Sequence, residues 1–397
     1  MNTKNKNLDW IQLLRGIAAV LVVLTHARYT LLNTDQWPLA NQLFFPTAMG
    51  VDLFFIISGF IMCYSTSGSD GSPAYVANFV VKRFARVWPV YAVVTVLYGM
   101  LTHGGLHYFH FAPNMSVLWR SLLLLPVDTQ APPYFGLTLP LGWTLEFEMY
   151  FYAIFAVSLL FKRLRWVVLA SWILLSVVLL PLGQRGFAMD VTANLGYSVS
   201  YLSIVTNAFV LEFLAGAAIC LLYQSPWIVI PNRALAYHLI WLSTSFAAWS
   251  IFSGYGGMHG PGKWGLPLML MVLVLAIASK TVEIVIPRVL MWLGSISFSL
   301  YMTHLIAQFY VTRWMLRFDA EPYIHSWGFM FVSTALAISL AALSHRYLEQ
   351  GLSNLVRDAL LGILRRRRAG AALAPADTVL GADRVVRVAA SPSGLIF

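Results

Sequence analysis

Arg15 and His26 lie in one apolar segment, RGIAAVLVVLTH, with ten residues between them. An eleven-residue step at about 100° per residue comes to about 1100°, three turns and about 20°, so the two side chains share one face of a helix. They stand about 16 Å apart along its axis, which puts one near a membrane surface and the other deep in hydrocarbon. An imidazole exchanges protons near neutral pH, and a guanidinium stays charged and binds oxyanions. Ionisable groups at that depth are expensive to hold, and a functional site is their default reading.

Other polar residues recur in apolar surroundings. Asp52 sits in GVDLFFIISGF, where a carboxylate needs a partner and is either structural or functional. Glu146 and Glu148 in GWTLEFEMYFY are two positions apart, about 200° around a helix, so they are not a shared dyad and at most one faces a site. Glu212 in VLEFLAGA and His304 in SLYMTHL fall near mid-depth; a lone intramembrane His serves equally well as a hydrogen bond between helices. Arg83 and Arg86 in KRFARVWP share a face if the loop enters a helix there, with Pro89 in its first turn. They read either as a topology signal or as a phosphate clamp of paired guanidiniums.

No metal site is expected, because no His-Glu-x-x-His or similar ligand spacing occurs. Cys63 and Cys220 read as small buried hydrophobes rather than a disulfide framework. The chain lacks a P-loop, a dinucleotide fingerprint and a Gly-x-Ser-x-Gly elbow, which argues against nucleotide hydrolysis and serine-hydrolase chemistry.

The elements that must position these residues are membrane spans. A chain 59% hydrophobic and 11% charged, with a mean hydropathy of +0.72, carries more apolar surface than a soluble core can hide. The expected fold is an all-α integral membrane protein of about ten transmembrane helices, near 11–32, 44–65, 87–103, 143–161, 166–183, 201–223, 234–252, 264–279, 292–314 and 326–346. The first reads as an uncleaved span, because it contains Arg15 and His26 and has no A-x-A-like end. With the N-terminus inside, all Lys and Arg except Arg28, Arg120, Arg185, Lys263, Arg313 and Arg317 fall on the cytoplasmic side or its helix ends. Both termini are therefore expected to be cytoplasmic, and the net charge of +10 becomes a rim facing anionic lipid rather than a nucleic-acid surface. Residues 1–350 form the expected transmembrane domain. Residues 351–397 form a basic cytoplasmic tail, disordered from about 369. No internal repeat supports a two-half transporter.

Taken together, these motifs resemble the integral-membrane acyltransferase family three, whose members O-acylate bacterial cell-surface and secreted glycans. Arg15, ten residues and His26 match its first-span signature; Gly50 to Phe60 match its second-span motif. Lys82-Arg83-Phe84-Ala85-Arg86 with Pro89 matches its Arg-x-x-Arg motif. Trp143-Thr144-Leu145 with Glu148 and Tyr152, Ser299-Leu300-Tyr301 with His304, and His345-Arg346-Tyr347 with Glu349 resemble its later segments. IQLLRGIAA and GWTLEFEMYFY look closest to its exopolysaccharide O-acetyltransferase branch. Gln350 departs from the Pro that usually follows the final Glu.

The resemblance implies an acetyl-CoA or other acyl-CoA donor, with no bound cofactor, and a sugar hydroxyl acceptor on a lipid-linked or nascent polysaccharide, in a multi-pass bacterial inner-membrane protein. It implies catalytic His26, Arg15 and Glu148, donor-binding Arg83 and Arg86, and substrate-binding Asp52, Trp143 and His304. His26 would act as general base or carry a transient acyl group; Arg15 would orient the donor, and Glu148 would orient His26 or bind a sugar hydroxyl. A transporter or flippase of lipid-linked glycans would use the same polar interior as a pathway, and a membrane sensor would use it as a proton-sensitive switch. Neither would release CoA.

Overall fold

The computed structural model describes residues 8–184, 186–254 and 257–373. The expected disorder of the tail falls largely beyond 373, outside the described residues, as do Lys4, Lys6, Arg185, Arg384 and Arg387 from the charge asymmetry. Among the described residues the chain is helical, without strands. Seven helical stretches are long and apolar enough to cross a membrane: Asp9–Leu31, Trp37–Ser65, Pro73–Thr102, Lys162–Gln184, Arg233–Phe252, Arg288–Leu316 and Trp327–Arg368.

Within and between these stretches we distinguish α1 (Asp9–Ala27), α2 (Trp37–Phe44), α3 (Gly50–Ser65), α4 (Pro73–Thr102), α5 (Ala112–Leu122), α6 (Gly142–Leu159) and α7 (Arg165–Leu174). There follow α8 (Val210–Gln224), α9 (Arg233–Phe252), α10 (Gly265–Ala278), α11 (Arg288–Ser295), α12 (Ser297–Leu316), α13 (Trp327–Ser344) and α14 (Ser353–Leu373). A π-helical turn, His345–Leu352, joins the last two. Val167, Trp172, Trp241 and Leu242 on α7 and α9 are exposed, as suits helices solvated by lipid rather than water.

Small residues decide how closely the helices around the site approach. A Cβ on Gly50 would collide with Ala18 of α1, and one on Gly16 would come within 2.8 Å of the Gly294 backbone of α11. Gly59 on α3 meets the Phe213 backbone, and Gly216 on α8 meets that of Ile56. Without a hydrophobic drive between helices in lipid, such close backbone approach is what dispersion can use. Helices α3 and α8 run parallel: the Phe55 ring lies 5.1 Å from Phe209 and 4.7 Å from Phe213, and further along Tyr64 lies 6.3 Å from Tyr223. Their N-termini, and that of α10, start at the depth where α3 meets Ala18 and Val22 of α1.

One boundary differs from the sequence reading. Helix α4 begins at Pro73, where the Ser72 side chain accepts from the Tyr75 amide, and not near Pro89. Arg83 and Arg86 thus lie inside a helix of 30 residues, with Pro89 in its interior. The hydroxyl cap and the Pro at the first helical position start the helix early. The amide missing at Pro89 is tolerated because neighbouring helices enclose that turn.

Candidate functional site

At the end of the bundle where α1 begins, α4, the π turn and α14 enclose a cleft of about 800 Å³, within the range of small-molecule sites. Its wall carries the basic groups of Arg15, Lys82, Arg83, Arg86 and Arg357, against the single carboxylate of Glu349. Three of these, Arg15, Arg83 and Arg86, also line a narrower neck of about 90 Å³ that continues inward past Ser58, Glu148 and Tyr152 to Thr144 and Tyr301. Such concentrated positive charge at a concave, partly dehydrated surface suits a polyanion.

The side chains in the neck are tied to one another. Tyr152 donates a hydrogen bond to Glu148, and Ser58 Oγ donates to the same Glu148 oxygen at 3.3 Å. Arg83 donates to Ser65 Oγ at 2.9 Å, and its guanidinium lies 5.7 Å from the centroid of the Tyr152 ring. Arg15 donates to Gln12 at 3.2 Å and lies within electrostatic reach of Glu349 and Glu148. Ser299 Oγ donates to Glu349 Oε2 at 2.9 Å, and His345 Nδ1 approaches the same oxygen at 3.0 Å. Glu146 is fully buried away from the neck; the 200° between the two glutamates separates them as helix geometry requires.

His26 lies near the other end of α1. Its Nδ1 is 2.9 Å from Val22 O and 3.3 Å from Nε2 of His304. A carbonyl oxygen only accepts, so Nδ1 of neutral His26 carries the proton. By the same argument His304 carries its proton on Nδ1, which faces Leu300 O at 3.1 Å and Tyr301 O at 2.8 Å. The His304 Nε2 lone pair is then available to His26, and the lone pair of His26 Nε2 is left to take a proton or form a bond. His304 is fully buried against His26, so it meets the imidazole from behind. That differs from the expected role in binding substrate.

Tyr301 links the two ends. Its hydroxyl is 2.9 Å from Thr144 Oγ1 at the inner end of the neck, and its ring centroid is 6.2 Å from that of His304. Glu148 does not join this end. Its hydrogen bonds to Tyr152 and Ser58 hold it on the arginine side, so the expectation that it orients His26 passes to His304.

Asp52 belongs to a third cluster. In the first turn of α3, where an acidic group suits the helix dipole, its Oδ2 is 2.6 Å from His259 Nδ1 and its Oδ1 accepts from the Gly260 amide at 2.8 Å. It is completely buried, and Trp143 is 5% exposed, its ring packed against Phe55, Phe209, Tyr134 and His259. These two expected substrate-binding residues thus both contact the loop before α10, through His259 and Gly260. Glu212, in the first turn of α8, is buried beside Gly265, where an added Cβ would meet its Oε1 at 2.5 Å. His259, Asn354 and Arg357 did not emerge from the sequence. Asp52's need for a partner was the one signal that could have pointed to His259.

Among the described residues no group of three or more His, Cys, Asp or Glu is arranged to hold a metal ion.

The family model for an acyltransferase domain matches residues 8–346. The exopolysaccharide production protein ExoZ of Rhizobium meliloti (strain 1021) is 34% identical over 176 residues, 43% of this chain and 50% of that protein; the chain thus matches about half the length of that relative. Acyltransferase MdmB of Streptomyces mycarofaciens is 25% identical over 386 residues, 89% of this chain and 92% of its own. No solved structure matches the chain.

Proposed function

Because the chain belongs to the integral-membrane acyltransferase family three, we propose that it moves an acyl group, acetyl in the simplest case, from cytoplasmic acyl-CoA to a hydroxyl of a cell-surface or exported glycan. The observation that carries this reading is the continuity of the basic cleft with the neck, which ends at Thr144 and Tyr301, the Tyr301 ring standing 6.2 Å from that of His304 between the neck and His26. CoA is a polyanion at its nucleotide end and neutral at its acyl end. A basic cleft followed by a narrow passage that, beyond Arg15, Arg83 and Arg86, is walled by Phe54, Phe55, Leu145 and Phe298 matches that polarity. The similarity to an exopolysaccharide production protein supports an exopolysaccharide as the acceptor.

In this mechanism Arg83 and Arg86 hold donor phosphates and Arg15 directs the thioester inward. His26 Nε2 accepts the proton of the sugar hydroxyl as it attacks the thioester carbonyl, and CoA leaves as the thiol. In the competing path the same Nε2 attacks the thioester carbonyl and expels CoA as the thiolate, and the sugar hydroxyl then attacks the acyl-imidazole, breaking its N–C bond and giving up its proton to regenerate neutral His26 and the CoA thiol. Val22 O and His304 Nε2 together hold the proton on His26 Nδ1 in either case. We read α6, α8 and α10 as crossings besides the seven long stretches, which gives ten, with both termini in the cytoplasm and the protein in the inner membrane.

The test is release of free CoA from acetyl-CoA by the purified protein with a glycan acceptor. Acceptor-dependent release that disappears in His26→Ala is expected. Absence of CoA release, with lipid-linked glycan still crossing the membrane, would replace the reading with a flippase.

A further inference from the structure

The family match ends at residue 346, but the basic cleft does not. Beyond that point the π turn and α14 contribute Glu349, Gln350, Ser353, Asn354 and Arg357 to its wall. Helix α14 lies along α4, and near its far end Arg368 donates to Ala74 O at 2.8 Å. The segment is thus docked on the bundle and its side chains have fixed positions at the mouth of the cleft.

Arg357 is the basic group this segment supplies. Its Nη1 donates to Asn354 Oδ1 at 2.8 Å and its Nε to Asp358 Oδ1 at 2.9 Å. A guanidinium has five N–H donors, so these two bonds leave others. The pair with Asp358 is at the surface, its side chains 40% and 66% exposed, and such pairs contribute little. A phosphate, binding two N–H groups at once, competes well with it. The basic residues are also graded along the path: Arg15, Arg83 and Arg86 line both cleft and neck, whereas Lys82 and Arg357 line the cleft alone. A donor with its acyl end in the neck and its inner phosphates at Arg83 and Arg86 would leave its outermost phosphate at the outer pair.

We propose that Arg357, from the segment beyond the family domain, binds a phosphate of the donor's nucleotide end, with Asn354 as its positioning residue. The proposal rests on the acyl-CoA reading above.

The experiment measures CoA and pantetheine binding to the full chain in nanodiscs of zwitterionic lipid, so that no anionic headgroup occupies the arginine. Arg357→Ala should weaken CoA binding about tenfold, the scale of one charge-assisted hydrogen bond, and leave pantetheine binding unchanged. The apparent KM for acetyl-CoA should rise with kcat unaltered, and Arg357→Lys should recover part of the loss. Wild-type CoA affinity in Arg357→Ala, with weakened affinity in Arg83→Ala, would overturn the role of Arg357 and leave the donor reading standing. If the wild-type protein binds no CoA, both fail. A matched thermal melt, with Arg357→Gln as a second variant, separates impaired binding from impaired folding.

Discussion

Nε2 of His304 lies 3.3 Å from Nδ1 of His26, across two helices whose residues are 278 positions apart in the chain. The pair leaves one ring nitrogen of His26 for chemistry and uses the other for orientation. Removing each imidazole should therefore have unequal effects. His26→Ala should abolish transfer in a protein that still inserts, whereas His304→Ala should lower kcat by about 10- to 100-fold, the scale of removing an orienting partner, with little change in donor KM. His304→Gln, which keeps an acceptor, should recover part of that rate. Steady-state kinetics at matched expression check this, and wild-type glycan acylation in His26→Ala would remove His26 from the mechanism.

Arg83 and Arg86 separate a topology signal from a phosphate clamp. Lysine preserves the charge that orients a membrane protein but not the planar fork. The double variant Arg83→Lys with Arg86→Lys should insert normally and raise the apparent KM for acyl-CoA, by about 1 to 3 kcal/mol for each charge-assisted hydrogen bond removed, without altering acceptor dependence. Unchanged donor kinetics would reduce the two arginines to topology signals.

The orientation can be checked with introduced cysteines, since native Cys63 and Cys220 are buried. With both termini cytoplasmic, cysteines at Ser67 and Ser225 should resist an impermeant thiol reagent in intact cells made permeable only at the outer barrier, and one at Asn114 should react. The opposite pattern would reverse the side from which the donor enters.

Asp52 and His259 should behave as a structural clasp. Asp52→Ala leaves the His259 ring and the Gly260 amide without their acceptor, and an unsatisfied buried polar group costs about 1 to 3 kcal/mol. Lower thermal stability is expected, and His259→Ala should add little in the Asp52→Ala background because the two report one interaction. Full stability with a raised acceptor KM would return Asp52 to substrate binding.

Periodicity made part of this arrangement legible. A helix fixes the angle between Arg15 and His26 and the divergence of Glu146 from Glu148, so those relationships follow from counting residues. The placement of Arg83 and Arg86 on one face was readable for the same reason, although the start of α4 was not: Pro89 looked like a helix beginning, and Ser72 with Pro73 supplied the actual one. The approach of His304 to His26 and of His259 to Asp52 depends on which helices touch and how far a loop descends. No spacing rule encodes that. The Gly-rich sequence around His259 reads as an ordinary connector, and Arg357 lies in a basic amphipathic stretch, ending in Arg365 to Arg368, that reads as a cytoplasmic tail.

The π turn at His345–Leu352 brings Glu349, four residues on, and Gln350, five residues on, to the same imidazole of His345, at 3.0 and 2.9 Å. It joins α13, anchored in the bundle, to α14, and so its length sets the rotational phase of α14 about its axis. Deleting one residue there would turn everything after it by about 100°. Arg357 would swing off the cleft and a different side of α14 would become its outer wall, with the bundle core untouched. A single insertion or deletion in this joint is thus a coarse dial for the chemistry of the mouth, one that changes which side chains meet a ligand without changing any of them.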